Sequence, residues 1–163
     1  MQQKLTVTCT ALALLVGASG SAHAEAQSTS ACFGAMSHEE VIEIAEGHVF
    51  IHVRSEHTGN VTDDRNDPHY GAAGSSYGTI EIRDGAVSGG GYAAYTDTDG
   101  DEYIVAWEPS ELTEAGQTAG TWEFVSGTGK WDGTTGSGTW QGQPQAKPDR
   151  SIICWEGELE MAG

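Results

Sequence analysis

Ser75-Ser76-Tyr77-Gly78-Thr79-Ile80-Glu81-Ile82-Arg83-Asp84-Gly85-Ala86-Val87-Ser88-Gly89-Gly90-Gly91-Tyr92-Ala93-Ala94-Tyr95-Thr96 reads as two strands joined by a turn. In the first, Tyr77, Thr79, Glu81 and Arg83 alternate with Ile80 and Ile82, the period of two that places one set on each face of a strand. Asp84-Gly85 is a two-residue hairpin signal, and Ala86 to Thr96 follows as the return strand. Outward from this hairpin the same grammar repeats. Asp97 to Asp101 is the next turn, Glu102 to Trp107 the next strand and Pro109 to Gly116 a loop. Gly120 to Val125, Gly138 to Gln143 and Arg150 to Glu160 supply three further strands. On the N-terminal side His48 to Arg54 is plainly strand-like.

Ser37 to Gly47 has two readings. Ser37 and Glu40 have capping-box spacing and Gly47 could close a short helix. Val41, Ile42 and Ile44 instead favour a strand, with Ala45-Glu46-Gly47 as a turn, and that is the reading adopted. Seven or eight short strands with hairpin links and no long helical pattern argue for an all-β fold. A single antiparallel barrel of about eight strands is preferred to a sandwich because closure removes exposed edges. Several of the 23 glycines fall inside strands, where barrels use them for bends and bulges.

The start of the chain has another character. Lys4, the apolar run Leu5 to Val16, and Ala22-His23-Ala24 form the three parts of a secretory signal peptide over residues 1–24, too short in its apolar part to span a bilayer. Residues 25–36 are small and polar and read as a flexible lead, leaving 37–163 as the barrel domain. Export places the protein in the periplasm or outside the cell. It also removes Cys9, so that Cys32 and Cys154 remain as an even pair in an oxidising compartment and are expected to form a disulfide. All 24 acidic residues lie after residue 24, whereas one of seven basic residues lies before it, which moves the formal net charge from −17 to −18. Nucleic acid is excluded as a partner, because phosphate binding needs a basic face. No later segment is apolar enough for a transmembrane helix, and membrane insertion is not expected.

Few residue patterns point to chemistry. Asp97-Thr98-Asp99-Gly100-Asp101 through Glu108 matches calcium-loop positions at Asp97, Asp99, Asp101 and Glu108. However, Glu102 stands where a glycine is needed, and strands flank the loop where helices belong. The alternative is an acidic turn whose aspartates accept local backbone hydrogen bonds. His48 and His52 are four residues apart, about 13 Å along a strand, too far to share one zinc. On that strand His48, Phe50, His52 and Arg54 share one face and Val49, Ile51 and Val53 the other. If the aliphatic face points inward, the histidines are solvated. If the polar face does, His48 and His52, with Tyr77 and Glu81 from the next strand, become catalytic candidates inside the barrel. Phe50, Trp107, Trp122 and Trp140 are the candidate aromatic wall of a ligand cavity. No nucleophile triad, phosphate loop or zinc signature is present, and no cofactor is expected.

Gly89-Gly90-Gly91-Tyr92, Asp97-Thr98-Asp99-Gly100-Asp101, Gly120-Thr121-Trp122-Glu123-Phe124 and Gly127-Thr128-Gly129-Lys130-Trp131 through Gly136-Ser137-Gly138-Thr139-Trp140 together resemble a family of small exported bacterial β-barrel proteins without an assigned function. Their shape is similar to the allene oxide cyclase and calycin type of eight-stranded barrel. The resemblance covers about residues 71–143 and rests on turns, so it implies a fold and carries over no catalytic residue. Three functions follow as expectations. The first is a container for a small, mostly apolar molecule; the second, a cofactor-free isomerase, cyclase or lyase using the same cavity; the third, an interaction protein with a filled core.

Overall fold

The structure is a computed structural model that describes residues 25–60, 65–145 and 150–162; the expected signal peptide lies outside them. Eight strands close in chain order into one antiparallel barrel: β1 (Glu25–Ala45), β2 (His48–Asn60), β3 (Ala73–Arg83), β4 (Ala86–Thr96), β5 (Glu102–Leu112), β6 (Thr118–Gly127), β7 (Thr135–Pro144) and β8 (Arg150–Met161). The β3–β4 hairpin turns at Asp84 and Gly85, whose φ values of 51° and 85° both lie in the left-handed region. Aspartate followed by glycine is a pair that tolerates this conformation, and the turn it makes matches the twist of the strands. Ser37 to Ala45 is strand, as preferred over the helix reading, and it ends at the turn around Gly47.

Residues 25–36 correct the expected flexible lead. They form the first half of β1 and pair with β8 without a break from Glu25 opposite Met161 to Met36 opposite Arg150. The reason is an alternation hidden by small residues: Thr29, Ala31, Phe33 and Ala35 all point inward and are buried. Without them β8 would present an open edge. Cys32 faces Cys154 directly across this seam, and the two form the expected disulfide. Their flanking residues Ala31, Phe33 and Trp155 point into the core, so the disulfide lies on the outer wall.

Glycines on the inner face make room for the large rings. A Cβ at Gly78 would come within 2.4 Å of Trp107 Cζ2, and one at Gly91 within 2.5 Å of the same atom. Trp122 rests in the same way over Gly138 and Gly157. In the recurring Gly-Thr-Trp segments, β6 and β7 pair so that Gly120 faces Trp140, Thr121 faces Thr139 and Trp122 faces Gly138. The echo is thus a motif paired antiparallel with its own copy. Trp122 stacks on Trp155 (centroids 5.7 Å apart) and Trp140 meets Trp107 edge-on, so these two do not stack on each other.

The two ends of the barrel differ. At one end, residues 65–72 before β3, the β4–β5 turn and a 3₁₀ turn at Gly129–Trp131 form a plug. Trp131 and His69 are fully buried and stacked with centroids 5.2 Å apart, and His69 Nδ1 shares a 2.7 Å hydrogen bond with the Tyr103 hydroxyl. Asp67 ties the plug to β1 by accepting from Ser30 N at 3.0 Å and from Thr29 Oγ1 at 3.2 Å. At the other end β1 runs past its pairing with β8, and β4 past its pairing with β5, so that β1 to β4 overhang the rim.

Candidate functional site

Between plug and rim lies a cavity of about 90 Å³, open at the overhanging end. A water needs roughly 10–15 Å³ of such space, so the cavity holds several waters or a small organic molecule. Its floor and sides follow from strand parity. The inward alternation of Val49, Ile51 and Val53 continues along β2 to Ser55 and His57, both 6% exposed. Ser37, Ser55 and Ser76 are register neighbours on β1, β2 and β3, and His57 lies one rung deeper. The aromatic side is built by Trp107 from β5, Trp140 from β7 and Trp155 from β8.

His57 is the titratable group at the bottom of this cavity. Its Nδ1 is 2.5 Å from the Tyr95 hydroxyl. Burial lowers the His57 pKa to about 4 and pushes the Tyr95 phenol well up, so both are neutral at physiological pH. With Nδ1 committed to Tyr95, Nε2 is the nitrogen left for chemistry. A neutral imidazole held by a phenol can take or give a proton at a ligand without placing a full charge in the resting cavity. Tyr95 also stacks on Tyr103 with centroids 5.1 Å apart, and Tyr103 bonds His69. The cavity floor is therefore continuous with the plug.

The residues singled out from sequence divide between inside and outside. Trp107 and Trp140 line the cavity; Trp122 is core packing, its Nε1 donating to Glu156 O at 3.3 Å. Phe50 lies on the outer face opposite Ile42. His48, His52, Tyr77 and Glu81 also face outward, because the aliphatic face of β2 is the one that points in. His48 Nε2 and Glu81 Oε1 do meet, at 2.7 Å, and Arg83 joins them at 2.9 Å. The His48 hydrogen bond holds the Glu81 carboxyl below its ordinary range. This is a solvent-facing ion cluster rather than a site inside the barrel.

The calcium reading is corrected as well. Asp97 accepts from the backbone N–H of Asp99 (2.8 Å) and Asp101 (3.0 Å), and its second oxygen accepts from Trp131 Nε1 at 2.8 Å. Lys130 Nζ lies 2.9 Å from that same oxygen and supplies its positive partner. Burial alone would raise the Asp97 pKa, but these donors outweigh it and hold it at about 2. Glu108 stands out on β5 away from the turn, and no group of three or more His, Cys, Asp or Glu able to hold a metal occurs among the described residues.

One inward polar group was missed by the sequence reading although its signal was present. Extending the alternation of Val49, Ile51 and Val53 by two rungs puts His57 inside. His69 had no such signal, since it sits in a link folded into the barrel's end. With the geometry in place, comparison with known proteins adds a likeness of fold. The barrel is similar to that of a pterocarpan synthase dirigent protein. The two superpose with a TM-score of 0.54 over 94% of this chain and 100% of the other. At 10% sequence identity, this is a likeness of fold alone. No protein-family model and no curated protein matches the sequence.

Proposed function

We propose that the protein is an exported container whose cup-shaped barrel binds a small, mostly apolar molecule at its open end. The observation that carries this reading is the asymmetry of the barrel interior: one end is plugged by Trp131 and His69, and the other holds a cavity walled by Trp107, Trp140 and Trp155. Apolar pockets with a few convergent polar groups are the usual form of small-molecule sites. The likeness of the barrel to a dirigent protein described as a pterocarpan synthase supports the reading. The disulfide supports residence in an oxidising compartment, periplasmic or extracellular, after loss of residues 1–24. Membership of the small exported bacterial barrels that the turn motifs resemble fits the same picture. Titrating the intrinsic tryptophan fluorescence with toluene tests the reading: a saturable change is expected, and its absence up to the solubility limit overturns it.

A second reading is favoured by one contact. The His57–Tyr95 hydrogen bond puts an acid–base pair in the cavity, which is what a cofactor-free isomerase, cyclase or lyase needs. Under it His57 takes the part the sequence offered to His48 and His52. An enolisable ketone incubated in D₂O distinguishes the two readings, because exchange that His57→Phe abolishes would make the barrel an enzyme.

A further inference from the structure

Given a cup that holds a ligand, as proposed above, its wall is specific enough to say which kind. Ser37, Ser55 and Ser76 stand side by side across three strands. Ser37 and Ser55 satisfy each other, their hydroxyl oxygens 3.2 Å apart. Ser76 has no such partner. It is 6% exposed and lines the cavity, and its hydroxyl makes no hydrogen bond to any described residue. Nor is it sealed within the wall, as Trp107 Nε1 is. A hydroxyl that faces the cavity with no protein partner is free to bond a ligand oxygen in place of water, away from bulk solvent.

Charge narrows the choice. Among the described residues, no lysine or arginine lines the cavity, and its only carboxylate, Glu39, stands at the exposed rim. His57 is neutral there. A carboxylate inside would find no counter-ion among the described lining residues, and it would have to pass Glu39 on a chain of net charge −17 to enter. The three tryptophans meanwhile offer flat apolar surface to a ring.

We propose that the cup selects uncharged ring compounds bearing one hydroxyl or carbonyl group, which Ser76 reads, and turns carboxylates away. Acetophenone, ethylbenzene and benzoate have similar size and differ in this feature. They are titrated into the ¹⁵N-labelled protein while the tryptophan indole N–H resonances are followed. Acetophenone is expected to bind about tenfold more tightly than ethylbenzene, the worth of a typical buried hydrogen bond, and benzoate to give no saturable shift. Ser76→Ala should bring acetophenone down to the affinity of ethylbenzene and leave ethylbenzene unchanged. The proposal is overturned, with the container reading intact, if ketone and hydrocarbon bind the wild type alike, if Ser76→Ala keeps the preference, or if benzoate matches the ketone. Should none of the three bind, the container reading fails and this proposal fails with it.

Discussion

Lys130 Nζ lies 2.9 Å from Asp97 Oδ2, and that oxygen also accepts the Trp131 indole N–H at 2.8 Å. One carboxylate thus holds the β4–β5 turn, the 3₁₀ turn and the ring that plugs the barrel. The Asp97 side chain has no exposed surface, whereas that of Asp99, the other partner of Lys130, is 71% exposed. Asp97→Ala is expected to destabilise the fold by about 3 kcal/mol, because it strands the buried Trp131 N–H and the turn amides and takes from Lys130 its buried partner, leaving only exposed Asp99. Asp99→Ala should cost less than about 0.5 kcal/mol. Urea denaturation of the two variants measures the contrast, and millimolar Ca²⁺ should leave both midpoints in place.

The buried histidines set the acid limit of the fold. Burial lowers the pKa values of His57 and His69 from 6.5 to about 4 in the folded state. Between those values the unfolded chain binds protons that the folded chain refuses. Stability is therefore fully present above pH 6.5 and is lost as pH falls towards 4, on the order of 3 kcal/mol for each histidine. Asp97, held at about 2, adds its own loss only below its ordinary 3.8. Urea midpoints at pH 7 and pH 4.5 test this, and His57→Phe should remove about half of the difference, the His69 share remaining.

Gly78 and Gly91 are the floor on which Trp107 lies. Gly78→Ala would set a Cβ 2.4 Å from Trp107 Cζ2 and 2.5 Å from Gly90 O, so ring and backbone must both shift. A loss of about 1–3 kcal/mol is expected. Combining it with Trp107→Ala should cost less than the two changes summed, because the second change relieves part of the clash. Thermal unfolding of the two single variants and the double variant closes the cycle.

Reducing the disulfide should lower stability without opening the strand order. The bond closes a loop between residues separated by 122 positions, for which chain entropy gives about 4–5 kcal/mol. Cys32→Ser with Cys154→Ser is expected to keep the wild-type near-ultraviolet spectrum at 25 °C and to melt well below the oxidised protein. Mass spectrometry of the unreduced chain should find no free thiol at either position.

The strands were legible wherever side chains alternate sharply and turns carry Asp-Gly chemistry, and β4 was read with its bounds intact. Residues 25–36 were not, because Thr29, Ala31 and Ala35 are too small to advertise an inward face. The disulfide followed from parity of cysteines and an oxidising compartment, arguments that need no coordinates. The site was harder. Which face of β2 turns inward is decided by its neighbours around the barrel, and the aliphatic face won because burying it costs nothing in hydrogen bonds. The calcium-like spacing from Asp97 to Glu108 misled for a related reason. The cation that satisfies Asp97 is Lys130, brought from a different turn, and no local pattern could announce it.

The seam between β1 and β8 also decides how the molecule carries load. Tension applied to the two ends of the described chain runs up to Cys32, crosses to Cys154 and leaves again. The segment between them, including His57 and every residue of the cavity wall except Trp155, lies off that line of force. An oxidised barrel tethered by its termini can therefore be pulled hard without spilling what it holds.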